Sequence, residues 1–258
     1  MVGREGAITG DPGSADRGSL RLDNPLVVQW EYASEERLAA RNAAYRQLIE
    51  GVDAEATAFD AVAERRPRRV LDVGCGMGEF AQRVQAELGA EVVAVDLSSR
   101  MVELSRQRGL DARIGDIEHL EFEDSSFDCV VANWVLYHLP DLERGLAEIV
   151  RVLEPGGRLV AGTLGDGNLR EVWELLGEHA VSRSKFWSEN GDEILARHFA
   201  QVERRDAMGT VVFPDPEALR SFVAVTITRA HLADRVPSFD GPFRARSAHC
   251  VFVAEKAR

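Results

Sequence analysis

Val70-Leu71-Asp72-Val73-Gly74-Cys75-Gly76-Met77-Gly78-Glu79-Phe80 decides how the rest of this chain is read. Val70 to Val73 form a short apolar run that reads as a buried strand. Three glycines at alternate positions predict a tight turn, and Phe80, Val84 and Leu88, four apart, predict a helix beyond it. Such a turn lets backbone approach a ligand closely, and the unpaired N–H groups of the helix start face that ligand. The spacing Gly-x-Gly-x-Gly is shorter than the Gly-x-Gly-x-x-Gly of dinucleotide sites. Asp72 lies inside the strand just before the turn. A carboxylate there repels a pyrophosphate and favours an amino group or another cation.

Outward from this stretch the pattern is regular. Candidate strands cover residues 69–73, 91–96, 112–114, 127–133 and 157–163, and amphipathic helices alternate with most of them. Gly89 and Gly109 sit where helix C-caps belong, and Pro155-Gly156-Gly157 breaks the helix that begins near Asp141. Cys129-Val130-Val131-Ala132 is apolar without alternation, as expected of a strand covered on both faces in a parallel sheet. The prediction is an α/β fold with a doubly wound, mostly parallel sheet. Its ligand site belongs beyond the carboxyl ends of the strands, at the switch point.

The flanks are less regular. Residues 1–24 are polar and glycine-rich and read as a disordered tail. Residues 25–66 read as an N-terminal helical lid: Ser34 caps a helix that Gly51 ends, and Asp53 caps a second one. Trp30 and Tyr32 precede the first helix, either as ordinary packing or as part of a cover over the ligand. Residues 67–258 form one main domain with a cap insertion at about 164–240. The cap holds a helix around Leu169 to Leu176, the run Phe186-Trp187-Ser188-Glu189-Asn190, a capping box from Asn190 to Glu193, a strand or hairpin over 202–213 and a helix opened by Asp215-Pro216-Glu217. A last strand, 247–253, returns to the same sheet.

Composition narrows the function. Of 258 residues 45% are hydrophobic, enough for a sizeable core. Lys+Arg of 31 against Asp+Glu of 43 leaves a net charge of −12, which argues against a nucleic-acid partner. Cys75, Cys129 and Cys250 are widely spaced, with no Cys-x-x-Cys or His-rich tract, so neither a disulfide framework nor a metal site is expected. The longest uncharged run, Cys129 to Pro140, falls short of the roughly 20 residues of a membrane span. The expectation is a soluble cytoplasmic protein with no membrane partner, monomeric or homodimeric.

Asp96 ends the second strand, 22 residues after Gly74, where a carboxylate can accept both hydroxyls of a vicinal diol. Asp116 and Asn133 end the third and fourth strands and point at the same pocket. The blocks Val70-Leu71-Asp72-Val73-Gly74-Cys75-Gly76-Met77-Gly78, Val93-Ala94-Val95-Asp96-Leu97-Ser98, Gly115-Asp116-Ile117, Phe127-Asp128-Cys129-Val130-Val131-Ala132-Asn133 and Arg151-Val152-Leu153-Glu154-Pro155-Gly156-Gly157 occur in order. Together they resemble the class I S-adenosylmethionine-dependent methyltransferases, nearest to the ubiquinone-biosynthesis-like small-molecule group, over roughly residues 68–163.

The resemblance implies a Rossmann-like methyltransferase fold, S-adenosyl-L-methionine as cofactor, S-adenosyl-L-homocysteine as product and a small-molecule methyl acceptor at O, N or C. At matching positions it implies that Asp72 and the turn of Gly74, Cys75, Gly76 and Gly78 hold the methionine end. Asp96 would take the ribose, Leu97 and Met101 would pack on adenine, Asp116 and the Ile117 amide would read its edge, and the Asn133 carbonyl would face the amino group. Trp30, Tyr32, Trp134, Phe186 and Trp187 are the candidate lid and acceptor residues. In-line methyl transfer needs alignment above all, and a base only for a protonated acceptor. His138, on the loop after the fourth strand, is the candidate base; its alternative is a ring hydrogen-bonded to nearby backbone. His198 and His231 lie in the cap, and His119, His179 and His249 read as surface or packing residues. Two other readings use the same turn: an NAD(P)-dependent oxidoreductase, and an S-adenosylmethionine-binding module without turnover.

Overall fold

Val70, Leu71, Val73, Val93, Val130 and Val131 are all buried, and the strands that carry them lie side by side in one sheet. The structure is a computed structural model that describes residues 22–32, 34–178 and 185–258, apart from the side chains of Leu26, Gln29 and Trp30. In chain order the elements are α1 (Pro25–Glu31), α2 (Glu36–Leu48), β1 (Ile49–Gly51), α3 (Ala54–Ala63), β2 (Arg69–Val73), α4 (Glu79–Leu88), β3 (Glu91–Asp96), α5 (Ser99–Gln107) and β4 (Asp111–Ile114). They continue with β5 (Phe127–Val131), α6 (Leu142–Val152), β6 (Leu153–Leu164), α7 (Arg170–Leu175), α8 (Gly191–Leu195), β7 (Gln201–Phe213), α9 (Pro216–Ala224) and β8 (Phe243–Glu255).

The eight strands run in the order β1-β7-β8-β6-β5-β2-β3-β4. From β4 to β6 every pairing is parallel; β8, β7 and β1 complete the sheet with antiparallel pairings. From the central β2 the chain winds to β3 and β4 on one side, then crosses to β5 and β6 on the other. The switch point thus lies between the carboxyl ends of β2 and β5, where α/β sheets bind ligands. Alternate residues of β2 serve opposite faces: Leu71 and Val73 join the core with Leu146 and Ile149 of α6, while Val70 packs with Ala58 and Val62 of α3 and Val84 of α4. A third cluster joins Trp173, Phe213, Leu219 and Phe222 of the cap with Tyr45 and Leu48 of α2.

Asp53, Asp141 and Asp215 cap their helices as the sequence predicts, each accepting from a backbone N–H. Elsewhere the expectations need correction. The cap position of α2 is held by Glu35 and not Ser34, and the Glu35 carboxylate binds Arg100 instead of its own helix. Gly51 lies in β1, which pairs with β7 at the sheet margin, so the lid region is not wholly helical. The Asn190 side chain accepts from Trp187 N, which leaves the predicted capping box unformed. The larger correction concerns the cap insertion: β7, inside it, pairs with β8 along thirteen residues and belongs to the main sheet. Of the expected tail, residues 1–21 lie outside the described residues. Among the described residues no helix is long and apolar enough to cross a membrane.

Candidate cofactor and acceptor site

At the switch point, Gly74, Gly76 and Gly78 all have left-handed backbone, with φ of 70°, 53° and 76°. Gly74 N and Cys75 N donate to Val95 O at 2.7 and 3.1 Å, which stitches the turn to β3. A Cβ on Gly74 would sit 2.4 Å from Val135 Cγ2, on the loop after β5. Gly74→Ala is therefore expected to lower stability by about 2–4 kcal/mol, from backbone strain and overpacking together. A urea unfolding midpoint reads this directly; an unchanged midpoint would show that the turn is not as tightly packed as described.

Asp96, at the end of β3, braces the same turn. Its Oδ2 accepts from Gly76 N and its Oδ1 from Ser98 N, both at 2.9 Å. A carboxylate offers about four lone-pair positions, so two remain for a ligand diol. Ser98 caps α5 and also donates from Oγ to Tyr32 O at 2.7 Å, tying the end of the lid segment above Asp96.

Asp72 is only 3% exposed. Burial, with the nearby Asp96 charge adding to it, pushes its carboxyl up to about 8, and burial raises Asp96 as well. Free of any ligand, Asp72 keeps its proton at neutral pH. Asn133 lies two residues beyond Val131, the register partner of Asp72. Its Oδ1 accepts from Gly162 N at 3.2 Å, and its Nδ2 is buried with no hydrogen-bond partner. A buried acid, an unpartnered amide and a glycine cradle fit a ligand that carries an amino-acid end and a ribose.

The remaining predicted contacts divide. Leu97 is 61% exposed at the end of β3, and Ile117 is buried. Asp116 is exposed, with one oxygen accepting from Glu118 N in its own turn. Met101 is corrected: it is fully buried with Val102 and Ser105 on the inner face of α5, so no atom of it is open to an adenine ring. Phe186 is likewise a core residue, fully buried against Phe252, and Trp187 is 6% exposed. The Cys75 thiol contacts Ser105 Oγ, and burial pushes its pKa upward. Trp30 lies in α1, but its side chain is outside what is described, as is His179.

His138 is also corrected. Its Nδ1 lies 2.7 Å from Leu22 O and its Nε2 3.1 Å from Tyr32 Oη. A carbonyl only accepts, so Nδ1 carries the proton and Nε2 accepts from the tyrosine. With both nitrogens committed and burial pulling its pKa down to about 4, the ring is a latch for the lid and not a base. Tyr32 is held at the end of β3 by this bond and by Ser98.

Three residues not singled out in the sequence, Glu31, Arg41 and Tyr45, join Trp134 and His249 in the contacts around α2. Glu31 is buried, with Oε1 2.5 Å from Arg41 Nη1 and Oε2 lacking a hydrogen-bond partner. Arg41 also reaches Val225 O at 3.4 Å, linking α2 to the end of α9. Tyr45 of α2 bonds to Ser247 Oγ and, at 2.8 Å, to His249 Nε2. Trp134 holds a left-handed φ of 54° and donates from Nε1 to His249 Nδ1 at 3.0 Å. Tyr45 and His249 are 204 positions apart, and no local pattern pairs them. Among the described residues no acid, cysteine and histidine cluster could hold a metal ion.

Residues 71–161 match the family model of a methyltransferase domain. Over 169 residues the chain is 38% identical to malonyl-[acyl-carrier protein] O-methyltransferase of Erwinia pyrifoliae, a match covering 63% of each protein. Over 173 residues it is 35% identical to the protein of that name from Erwinia billingiae, covering 65% of this chain and 68% of that one. The chain therefore spans just under two thirds of the first relative's length and just over two thirds of the second's. A putative methyltransferase from Bacillus halodurans shares the fold, with a TM-score of 0.61 at 20% identity, over 79% of this chain and 99% of that one. The names of the two Erwinia proteins specify an acceptor borne on a carrier protein. That overturns the free small-molecule partner expected from the sequence.

Proposed function

Because this chain belongs to the class I S-adenosylmethionine-dependent methyltransferases, we propose that it methylates a carboxylate on an acyl group borne by a carrier protein. The observation that carries this reading is the state of its histidines at the site. His138 and His249 are buried, their pKa values are pulled down to about 4, and all four ring nitrogens are engaged. A phenol or ammonium acceptor needs a base to take its proton. A carboxylate, with an ordinary pKa near 4, is already ionised at neutral pH and needs none. The malonyl acceptor in the relatives' names is of that class.

When bound, S-adenosylmethionine supplies an electrophilic methyl group on a good sulfonium leaving group. Asp72, Asn133 and the Gly74-to-Gly78 turn would hold its amino-acid end, and Asp96 its ribose hydroxyls. Leu97 and Ile117 would flank the adenine, with Asp116 at its edge. Tyr32 and α2 would cover the site and exclude water, and Trp134 would wall the acceptor side. Alignment of acceptor, methyl and sulfur can contribute about 7–11 kcal/mol, the main task left to the protein. A cytoplasmic setting goes with this reading.

The test is incubation with S-adenosylmethionine and, in parallel, a malonyl-carrier protein, a phenol and an amine, followed by mass spectrometry of each acceptor. A single added methyl on the carrier-borne carboxylate is the expected result. Transfer to the phenol or amine alone would overturn the reading.

A further inference from the structure

Two tyrosines of the lid region, Tyr32 and Tyr45, are each held by a histidine of the main domain, and the two histidines carry their protons on opposite nitrogens. His138 donates from Nδ1 to Leu22 O, so its Nε2 must accept, and the Tyr32 hydroxyl proton is used up in that bond. At His249 the order is reversed. The indole of Trp134 can only donate, so His249 Nδ1 must accept, and in the neutral ring the proton sits on Nε2. Nε2 then donates to Tyr45 Oη, and the phenolic proton of Tyr45 is free to be given away. Ser247 Oγ, itself fully buried in β8, bonds to Tyr45 Oη and is within reach to take it. Tyr45, partly exposed, is thus a hydroxyl whose direction of donation is set from behind.

It stands on the helix that covers the glycine turn. Leu38 and Tyr45 are seven residues apart and share one face of α2. Leu38 Cδ2 lies 3.5 Å from the place a Gly76 Cβ would occupy, so this face covers the glycine turn. Two turns further on, about 10 Å along the helix, Tyr45 meets β8. His249 is there the register partner of Leu164, at the carboxyl end of β6. Trp134, which polarises the chain, directly follows Asn133 and holds the left-handed backbone that bulky residues adopt only where the surroundings enforce it.

We propose that Tyr45 is the positioning residue for the methyl acceptor, its hydroxyl turning from Ser247 to donate to one acceptor oxygen while His249 and Trp134 fix its polarity. This rests on the methyltransferase reading above. One carboxylate oxygen is held by the hydrogen bond, the other is left to attack, and no proton changes owner.

The experiment compares Tyr45→Phe, His249→Leu and His249→Gln with the wild type in the full chain. For Tyr45→Phe and His249→Leu, kcat/KM for malonyl-carrier protein is expected to fall about 10- to 100-fold, with S-adenosylhomocysteine affinity by calorimetry within twofold. His249→Gln, which can still accept from Trp134 and donate to Tyr45, is expected to recover most of the rate. Wild-type turnover in Tyr45→Phe, or an equal loss of acceptor turnover and S-adenosylhomocysteine binding, would overturn the proposal. If the wild type methylates no carrier-borne acceptor, the substrate reading fails separately, and 15N NMR of the histidines decides the polarity. An Nε2–H tautomer of His249 that is lost in Trp134→Phe supports the proposal; an Nδ1–H tautomer in the wild type ends it.

Discussion

Asp96→Ala is expected to weaken S-adenosylmethionine binding by about 100-fold. The side chain does two jobs. It holds Gly76 N and Ser98 N through charge-assisted bonds of 2.9 Å, and it keeps two lone pairs for the ribose. Hydrogen bonds to a charged group contribute roughly 1.5–3 kcal/mol each. The ribose contacts together with a loosened turn then add up to about 3 kcal/mol, or two decades in dissociation constant. Asp96→Asn keeps one acceptor oxygen and should fall between. Calorimetry on the three proteins checks this, and equal affinities for wild type and Asp96→Ala would remove Asp96 from the cofactor site.

Asp72→Asn should separate stability from binding in opposite directions. With a folded pKa of about 8 and an unfolded value near 3.9, Asp72 keeps its proton in the folded chain over a range where the unfolded chain releases it. The folded state then binds more protons than the unfolded one, so this residue's contribution to stability declines as pH rises from about 4 to 8. Asparagine, neutral in both states, escapes that decline. The free Asp72→Asn protein is expected to melt several degrees above the wild type at pH 7–8. Its affinity for the cofactor should drop, because a cationic amino group loses its carboxylate. In the wild type that carboxylate must first be deprotonated, so affinity should climb about tenfold per pH unit between 6 and 7.5. In Asp72→Asn that slope should vanish. Calorimetry in buffers of different ionisation enthalpy should find nearly one proton released per ligand at pH 6.5 for the wild type and none for the variant. A wild-type affinity that does not change with pH would mean that Asp72 is already ionised and that its burial has been misjudged.

The residues gathered at the proposed cofactor side were legible in the sequence because each marks its own place. Asp72, Asp96 and Asn133 stand within two residues of strand ends, and strand ends are visible as apolar runs that stop. Burial was not legible in that way. Met101 occupies a helix position that sequence spacing cannot distinguish from a pocket wall, and Phe186 looked like a loop aromatic until Phe252 packed on it. His138 lies where a base would be useful, but its fate depends on Leu22, 116 positions earlier. The segment before β1 is tied down by such long-range meetings, Arg41 with Val225 and Tyr45 with His249. A strand of three residues, β1, is too short to show a period at all.

That short strand has a further effect. Its last residue, Gly51, crosses Gly209 of β7 so closely that a Cβ there would lie 3.2 Å from the Gly209 Cα, and a Cβ on Gly209 would come 2.8 Å from Glu50 O. Two bare backbones in contact leave no room for a side chain at either position. Ahead of β1, Tyr32 bonds to His138 and Leu38 covers the glycine turn, while directly behind it α3 packs on the sheet. A substitution ahead of Gly51 can therefore alter the cover of the proposed site while α3 and the sheet keep their packing.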